Sequence, residues 1–244
     1  MPQINDKFAP LYFTSLKTDF GWIRPISDGQ SLIRLDWNQT GWEDADHPDN
    51  VSRETLAQLR AFEALVLKWT KKINLVSARD ASQIWDRHIV DSVQVFNAAP
   101  IEGDWLDIGS GGGFPGIVAA ILALGHRPER KFTLVDSDQR KCAFLRTAVR
   151  ELKLNAVVIA DRVDQLAPFG ASVLSARALG DLTSLLHHAE RHVASDGIAL
   201  FPKGENWRKE DEEARKHWSY DLEVLQSETN SDATILKIKE LSRV

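Results

Sequence analysis

The stretch Asp104–Gly116, reading Asp-Trp-Leu-Asp-Ile-Gly-Ser-Gly-Gly-Gly-Phe-Pro-Gly, constrains this chain more than any other. An apolar run of β character meets a glycine cluster, and an apolar helical segment follows. Strand, glycine turn and helix in that order can bring backbone close to a nucleotide-like ligand. Glycine tolerates positive φ and has no Cβ to hold a ligand off, and a helix start presents free N–H groups. The glycines fit two registers. Gly109, Gly111 and Gly113 form G-x-G-x-G with Asp107 two residues ahead, whereas Gly111, Gly113 and Gly116 form G-x-G-x-x-G, the dinucleotide fingerprint. Asp136, twenty residues past Gly116, suits a ribose diol in either register. A bland tight turn uses the same residue types, so the glycines alone do not choose.

From residue 104 onward strand and helix patterns alternate, which predicts a mainly parallel sheet with crossover helices. Strands are expected at 104–108, 132–136, 156–160, 172–176 and 197–201, and helices near 115–124, 139–153, 180–193 and 205–217. Pro115 suits a first helical turn. The end of the chain differs: 220–225 and 234–238 read as strands joined by a polar turn with no room for a helix. This predicts an antiparallel hairpin closing a parallel sheet. A dinucleotide domain would continue with a second mononucleotide-binding half, so the hairpin favours the first register.

Ahead of the sheet, Leu56, Leu59, Phe62, Val66, Trp69 and Ile73 recur at helical spacing behind an N-cap at Ser52, with Glu54 in the first turn. Asp80 can cap a second helix carrying Ile84, Trp85, Ile89, Val93 and Phe96, and its His88 and Asp91 read as a structural pair. Residues 1–50 show short strand patterns at Tyr12–Thr14 and Ser31–Trp37, a turn at Ser27–Gln30 and an acidic stretch up to Asn50. The expected organisation is an appendage at 1–50, a helical subdomain at 51–100 and a sheet domain at 101–244.

The net charge of −5 is uneven: residues 1–50 hold four Lys/Arg against eight Asp/Glu, and the remainder 26 against 27. A near-neutral body can still carry a local basic face, so RNA is not excluded. The single cysteine, Cys142, excludes an intramolecular disulfide and a multi-cysteine zinc site, and no structural metal is expected. It reads as a small buried apolar residue. No run of 18 apolar residues and no basic-then-apolar start appear, so no membrane association and a cytoplasmic location are expected.

Eight ordered motifs carry a resemblance: Lys68-Trp69 with Asn74–Ser77, Arg87–Ser92, Asp107–Gly116, Leu134–Ser137, Phe144–Arg146, Arg162–Asp164, Ser175–Ala178 and Pro202–Gly204. Over roughly residues 51–240 the chain resembles the bacterial 16S ribosomal RNA guanine-N7 methyltransferases, the RsmG or glucose-inhibited division protein B family. It departs at Gly112, where the family often has proline, at Phe114, where leucine is frequent, and before Arg177, where serine is commoner than Ala176. The resemblance implies a class I S-adenosylmethionine-dependent methyltransferase fold: a Rossmann-like α/β sheet, mainly parallel, with a C-terminal antiparallel hairpin and a helical N-terminal layer. It implies transfer of a methyl group to N7 of one guanine in the 530 loop, with 16S rRNA or the 30S subunit as partner. It also implies cofactor contacts from Gly109, Phe114, Val163, Asp164 and Arg177.

The residues' own chemistry is compatible with those roles. Gly109, Gly111 and Gly113 let backbone approach the methionyl and ribose parts, and Asp136 can accept from both ribose hydroxyls. Val163 and Asp164 follow the third strand, where an adenine edge would be read. Phe114 offers an apolar surface, and Arg177 suits a carboxylate or phosphate. Guanine N7 already carries an unshared pair, so no general base and no catalytic residue are assigned; positioning supplies the acceleration. Phosphate contacts are expected from Lys72, Arg87, Arg140 and Lys203. Two other classes stay open here: an NAD-dependent oxidoreductase using the second register, and a non-catalytic RNA- or ribosome-binding module that kept the fold.

Overall fold

The computed structural model describes residues 16–18, 21–27, 32–38, 52–77, 83–100 and 102–244. They divide into two units, Met1–Val51 and Ser52–Val244. In the first, β1 (Leu16–Thr18), β2 (Gly21–Ser27) and β3 (Leu32–Asn38) form an antiparallel sheet in that order. The strand read at 31–37 corresponds to β3. The Tyr12–Thr14 strand, most of the Ser27–Gln30 turn, the acidic stretch beyond Asn38 and the Asp80 cap lie outside the described residues.

The second unit opens with α1 (Arg53–Thr70), capped as its sequence predicts: Ser52 Oγ accepts the Thr55 N–H at 3.1 Å. A π-helical segment, Trp85–Val90, then runs directly into α2 (Asp91–Asn97). The wider turn buries three consecutive residues, His88, Ile89 and Val90, which a 3.6-residue period does not foresee. Strand and helix alternate from there: β4 (Trp105–Ile108), α3 (Gly116–His126), β5 (Phe132–Asp136), α4 (Gln139–Glu151), β6 (Ala156–Ala160), β7 (Ala171–Ala176), α5 (Leu182–His192), β8 (Val193–Lys203) and α6 (Trp207–Ala214). β9 (Trp218–Gln226) and β10 (Thr234–Arg243) complete the chain. β8 begins well before the expected 197, because Val193 at the end of α5 is already extended (φ −87°, ψ 142°) and no loop intervenes.

These strands form one sheet in the order β6-β5-β4-β7-β8-β10-β9. The pairings from β6 to β8 are parallel, and β10 runs antiparallel to both β8 and β9. Residues 227–233 are too few for the crossover that a parallel return requires, so the chain must turn back as a hairpin. β4 lies inside the sheet and is buried at all four positions, which is why it reads as a continuous apolar run around Asp107. α3 touches β4 and β5 as well as α1 and α2, so Ile117 to Ala123 are all buried and the helix shows no polar face.

Aromatic contacts tie the helical layer to the glycine loop. Phe62 of α1 has its ring centroid 5.2 Å from Phe114 and 6.3 Å from Phe144, and Trp69 meets Phe144 edge-on at 5.7 Å. Trp105 stacks between Phe96 and Phe132 and donates its indole N–H to Ser175 Oγ at 2.7 Å. Cys142 is buried as expected, its thiol donating to the Asp136 carbonyl at 3.1 Å. Among the described residues no helix is long and apolar enough to cross a membrane.

Candidate functional site

The strand order reverses at β4, with β5 and β6 on one side and β7 and β8 on the other. Open parallel sheets form ligand sites at such a switch point, beyond the carboxyl ends of the strands. The glycine loop occupies this one. Gly109, Gly111 and Gly113 have φ of +64°, +52° and +86°, which L side chains rarely adopt. The Ser110 N–H donates to the Val135 carbonyl at 3.0 Å, and the Gly113 N–H to the Ser110 carbonyl at 2.7 Å. Asp136 accepts the Gly111 N–H through Oδ2 and the Asp138 N–H through Oδ1, both at 2.8 Å. One carboxylate at the end of β5 thus holds the loop that follows β4.

The glycines have different neighbours. A Cβ on Gly113 would lie 2.8 Å from Ile117 Cγ1 and 2.9 Å from Phe62 Cζ, and one on Gly116 would lie 2.5 Å from Leu134 Cδ2 and 2.6 Å from Asp107 Oδ2. These two allow the loop and α3 to approach the core. Gly111 has no atom nearer than 3.6 Å to such a Cβ, so its backbone conformation rather than crowding demands glycine there. Gly109 lines a cavity and is faced by Leu179, whose Cδ1 would be 2.6 Å from an added Cβ.

That cavity, of about 410 Å³, lies at the carboxyl ends of β4, β5 and β6. Gly109, Asp136, Ser137, Lys141, Asp161, Arg162, Val163, Asp164, Leu179 and His188 line it. Its size falls in the range of several hundred Å³ that small ligands occupy. A nucleoside-bearing cofactor fits this surround: bare glycine backbone at one wall, and carboxylates at the ends of β5 and β6 to receive hydroxyl and amine hydrogens.

Of the residues singled out from sequence, the structure brings Gly109, Asp136, Val163 and Asp164 onto this one cavity. Gly111 stands behind it on Asp136, and Gly113 packs on Phe62. Phe114 turns into the helical layer; its ring is 7% exposed and stacks on His88 at 4.9 Å. Arg177, just past β7, donates through Nη2 to the Arg87 carbonyl at 2.9 Å. Its charge acts on half-buried Asp91, whose carboxylate accepts from Thr229 and Ser227 of the β9–β10 turn. Lys72 is exposed just beyond α1, and Arg87 is half-buried. Arg140 is paired with Asp138, the N-cap of α4, at 3.1 Å. Lys203 places Nζ 2.7 Å from both Glu210 and the Gly180 carbonyl, and Glu210 also accepts the Leu182 N–H at 2.8 Å. In this arrangement Lys203 braces the loop that carries Leu179.

Sequence reasoning missed Leu179 and His188 as cavity walls, and no pattern within the chain links them to Gly109 or Asp164. Asp161 and Arg162 were within reach, since they directly precede the Val163-Asp164 pair. Asp107 is legible in sequence as the acid ahead of the glycines, but its protonation depends on burial that sequence does not carry. It is 1% exposed, receives the Ser175 hydroxyl, and lies beside the Gly116 backbone. Burial pushes its carboxyl up to about 6 from 3.8, against the hydrogen bond that Ser175 donates to it.

A folded pKa above the unfolded one favours the protonated native form. This contribution is complete below about pH 3.8 and is lost as pH rises through about 6. Above that, the ionised carboxyl destabilises the fold by roughly 2–3 kcal/mol for the two-unit shift. Asp107→Asn is therefore expected to raise the melting temperature at pH 8 and leave it nearly unchanged at pH 4. Melting curves across that range that stay parallel to wild type would refute this.

The family model described as GidB, rRNA small subunit methyltransferase G, matches residues 55–236. The ribosomal RNA small subunit methyltransferase G of Ruegeria sp. (strain TM1040) is 49% identical over 219 residues, 90% of this chain and 100% of that one. Its counterpart from Ruegeria pomeroyi is 52% identical over 195 residues, covering 80% and 96%. The first of these spans more than Ser52–Val244, so the likeness reaches into the N-terminal unit, for which the motifs offered no account. Among solved structures, a SAM-dependent methyltransferase from Aquifex aeolicus superposes with a TM-score of 0.52 at 14% identity, over 70% of this chain and 97% of that one. TYW2 of M. jannaschii, in complex with AdoMet, gives 0.51 at 13% identity, over 72% and 80%. They share the fold: the class I methyltransferase sheet, mainly parallel and closed by an antiparallel hairpin. With its family match spanning most of the sequence and about half its residues shared with relatives, the chain belongs to the rRNA small subunit methyltransferase G family.

Proposed function

We propose that this chain transfers a methyl group from S-adenosylmethionine to small-subunit rRNA. More finely, we assign the acceptor as N7 of a guanine in the 530 loop of 16S rRNA, the partner as the 30S subunit and the setting as the cytoplasm. The observation that carries the reading is the cavity walled by Gly109, Asp136, Val163 and Asp164 at the ends of three adjacent parallel strands. Family membership supports the rRNA substrate. The oxidoreductase reading loses its ground: after β8 the described sheet continues as an antiparallel hairpin, not as a second mononucleotide-binding half.

S-adenosylmethionine supplies an electrophilic methyl group on a sulfonium. The residues of the chain bind and orient. Each Asp136 oxygen already accepts one backbone N–H and keeps a lone-pair direction for a ribose hydroxyl. Gly109 offers backbone without a side chain, and Val163 and Asp164 present the turn after β6 to the adenine edge. Arg177 at the end of β7 suits a carboxylate or a phosphate. Guanine N7 needs no proton removed, so alignment of nucleophile, carbon and leaving sulfur is the main demand on the protein.

Calorimetric titration with S-adenosylhomocysteine, and separately with NADH, tests the cofactor. The former is expected to bind and the latter not. Methyl transfer to 30S subunits lacking the modification, run beside naked 16S rRNA, then reads the substrate, with the site mapped by strand cleavage at N7-methylguanine. Binding of NADH alone would overturn the assignment, and methylation at another base would overturn its finer part.

A further inference from the structure

We propose that His188 is a positioning residue for the cofactor: it fixes the Asp164 carboxylate at the adenine end of the cavity. The inference rests on the cofactor reading above and deepens it.

Asp164 lies in a short 3-10 turn, Val163–Gln165, between β6 and β7. Its side chain is 52% exposed, so the turn alone does not hold the carboxylate in one orientation. Two side chains compete for it. Arg162 brings Nη2 within 3.6 Å of Oδ2, but its side chain is 70% exposed. An exposed pair of long reach contributes little order. His188 brings Nδ1 to 3.4 Å of Oδ1, and its side chain is only 14% exposed. It sits on the second turn of α5, a helix anchored by Leu182, Leu185, Leu186 and Ala189 in the core. A short rotation of either side chain closes the contact to a hydrogen bond, and such contacts tighten when ligand arrives.

His188 also stands at a junction. It and Asp164 line both the cofactor cavity and a second opening of about 540 Å³ bordered by Ser184, His187, His217 and Trp218. A carboxylate free to swing toward the second opening would leave the first. The imidazole holds it at the shared wall. Burial keeps the His188 pKa below its ordinary value, while Asp164 pulls it up and His187 pulls it down. The lowered pKa favours the neutral ring, and in the tautomer with the proton on Nδ1 that ring can donate to Asp164 without cancelling its charge.

The test compares His188→Ala with His188→Asn, whose side-chain amide N–H replaces the Nδ1 donor. Calorimetry with S-adenosylhomocysteine reads the cofactor site, and steady-state methyl transfer to 30S subunits separates KM for S-adenosylmethionine from kcat. His188→Ala is expected to weaken binding about five- to tenfold, with the loss falling mainly on KM, and His188→Asn to recover most of it. Should the alanine variant fail to fold, His188→Leu against His188→Asn reads the same difference. Equal affinity of wild type and the donor-lacking variant, or equal loss in the donor-lacking and asparagine variants, overturns the inference while leaving the cofactor reading intact. Wild-type protein that binds no S-adenosylhomocysteine overturns the cofactor reading itself, and the positioning role with it.

Discussion

Replacing Asp136 by alanine is expected to weaken S-adenosylhomocysteine binding roughly ten- to hundredfold and to lower thermal stability in the same variant. The two effects share one cause. Asp136 is 8% exposed and accepts the backbone N–H groups of Gly111 and Asp138. Alanine leaves both donors without an acceptor, at roughly 1–3 kcal/mol for each that stays dry. The glycine loop then loses one of its two attachments to β5, keeping the Ser110 N–H bond to the Val135 carbonyl, just where the backbone has positive φ. The carboxylate that would receive the ribose diol is lost as well. Asp136→Asn separates the two roles. It keeps one acceptor oxygen but sets an amide N–H against a backbone N–H, so it should rescue stability in part and affinity little. Calorimetry and melting curves on the two variants decide: an alanine variant with wild-type affinity would make Asp136 a brace for the loop and nothing more.

Phe62→Ala is expected to cost about 3–5 kcal/mol of stability, near the upper end for a core truncation. The ring is fully buried and meets Phe114 in the glycine loop, Phe144 in α4 and the space left open by Gly113. Against a typical total of roughly 5–15 kcal/mol, such a loss brings the fold near its limit. Phe62→Leu, which keeps most of the apolar volume, should cost much less. Chemical denaturation measures both variants, and S-adenosylhomocysteine titration shows whether the loop survives. The cavity left by alanine lies directly beneath Gly113, so cofactor affinity should fall alongside stability. Wild-type stability in the alanine variant would mean that the helical layer does not secure the loop.

Much of this was legible along the chain because it depends on neighbours in sequence. Ser52 is a cap because its side chain reaches the N–H three residues on. The closing hairpin could be read because residues 227–233 leave no room for a crossover helix, and the positive φ of the loop follows from its glycine cluster. What escaped has a physical reason in each case. The π-helical segment at Trp85–Val90 changes the period within one helical stretch, and a fixed 3.6-residue period overlooks it. Phe114 reads as an apolar surface for the cofactor, the role the family resemblance implies, yet its ring packs on Phe62 and His88 from elements away from it in sequence. Lys203 reads as a free cation at a strand end. Its ammonium meets Glu210 because α6 folds back against α5.

From residue 104 onward the sequence by itself determined the order of strands and helices, the glycine loop with Asp107 and Asp136 flanking it, and the kind of ligand such a loop admits; the strands at Leu16–Thr18 and Gly21–Ser27 were not legible in it. All of these follow from local geometry: which residues permit positive φ, which repeat at helical or strand spacing, and how short a connection can be. Only the tertiary structure decided which polar groups are already engaged and which face the cavity. Asp107 carries a raised pKa because the sheet buries it beside Ser175, sixty-eight positions away. Asp164 comes within 3.4 Å of His188 because the loop after β6 and the helix after β7 meet over one cavity. Burial and charge are set by distances through space, and those distances exist only once the sheet has assembled.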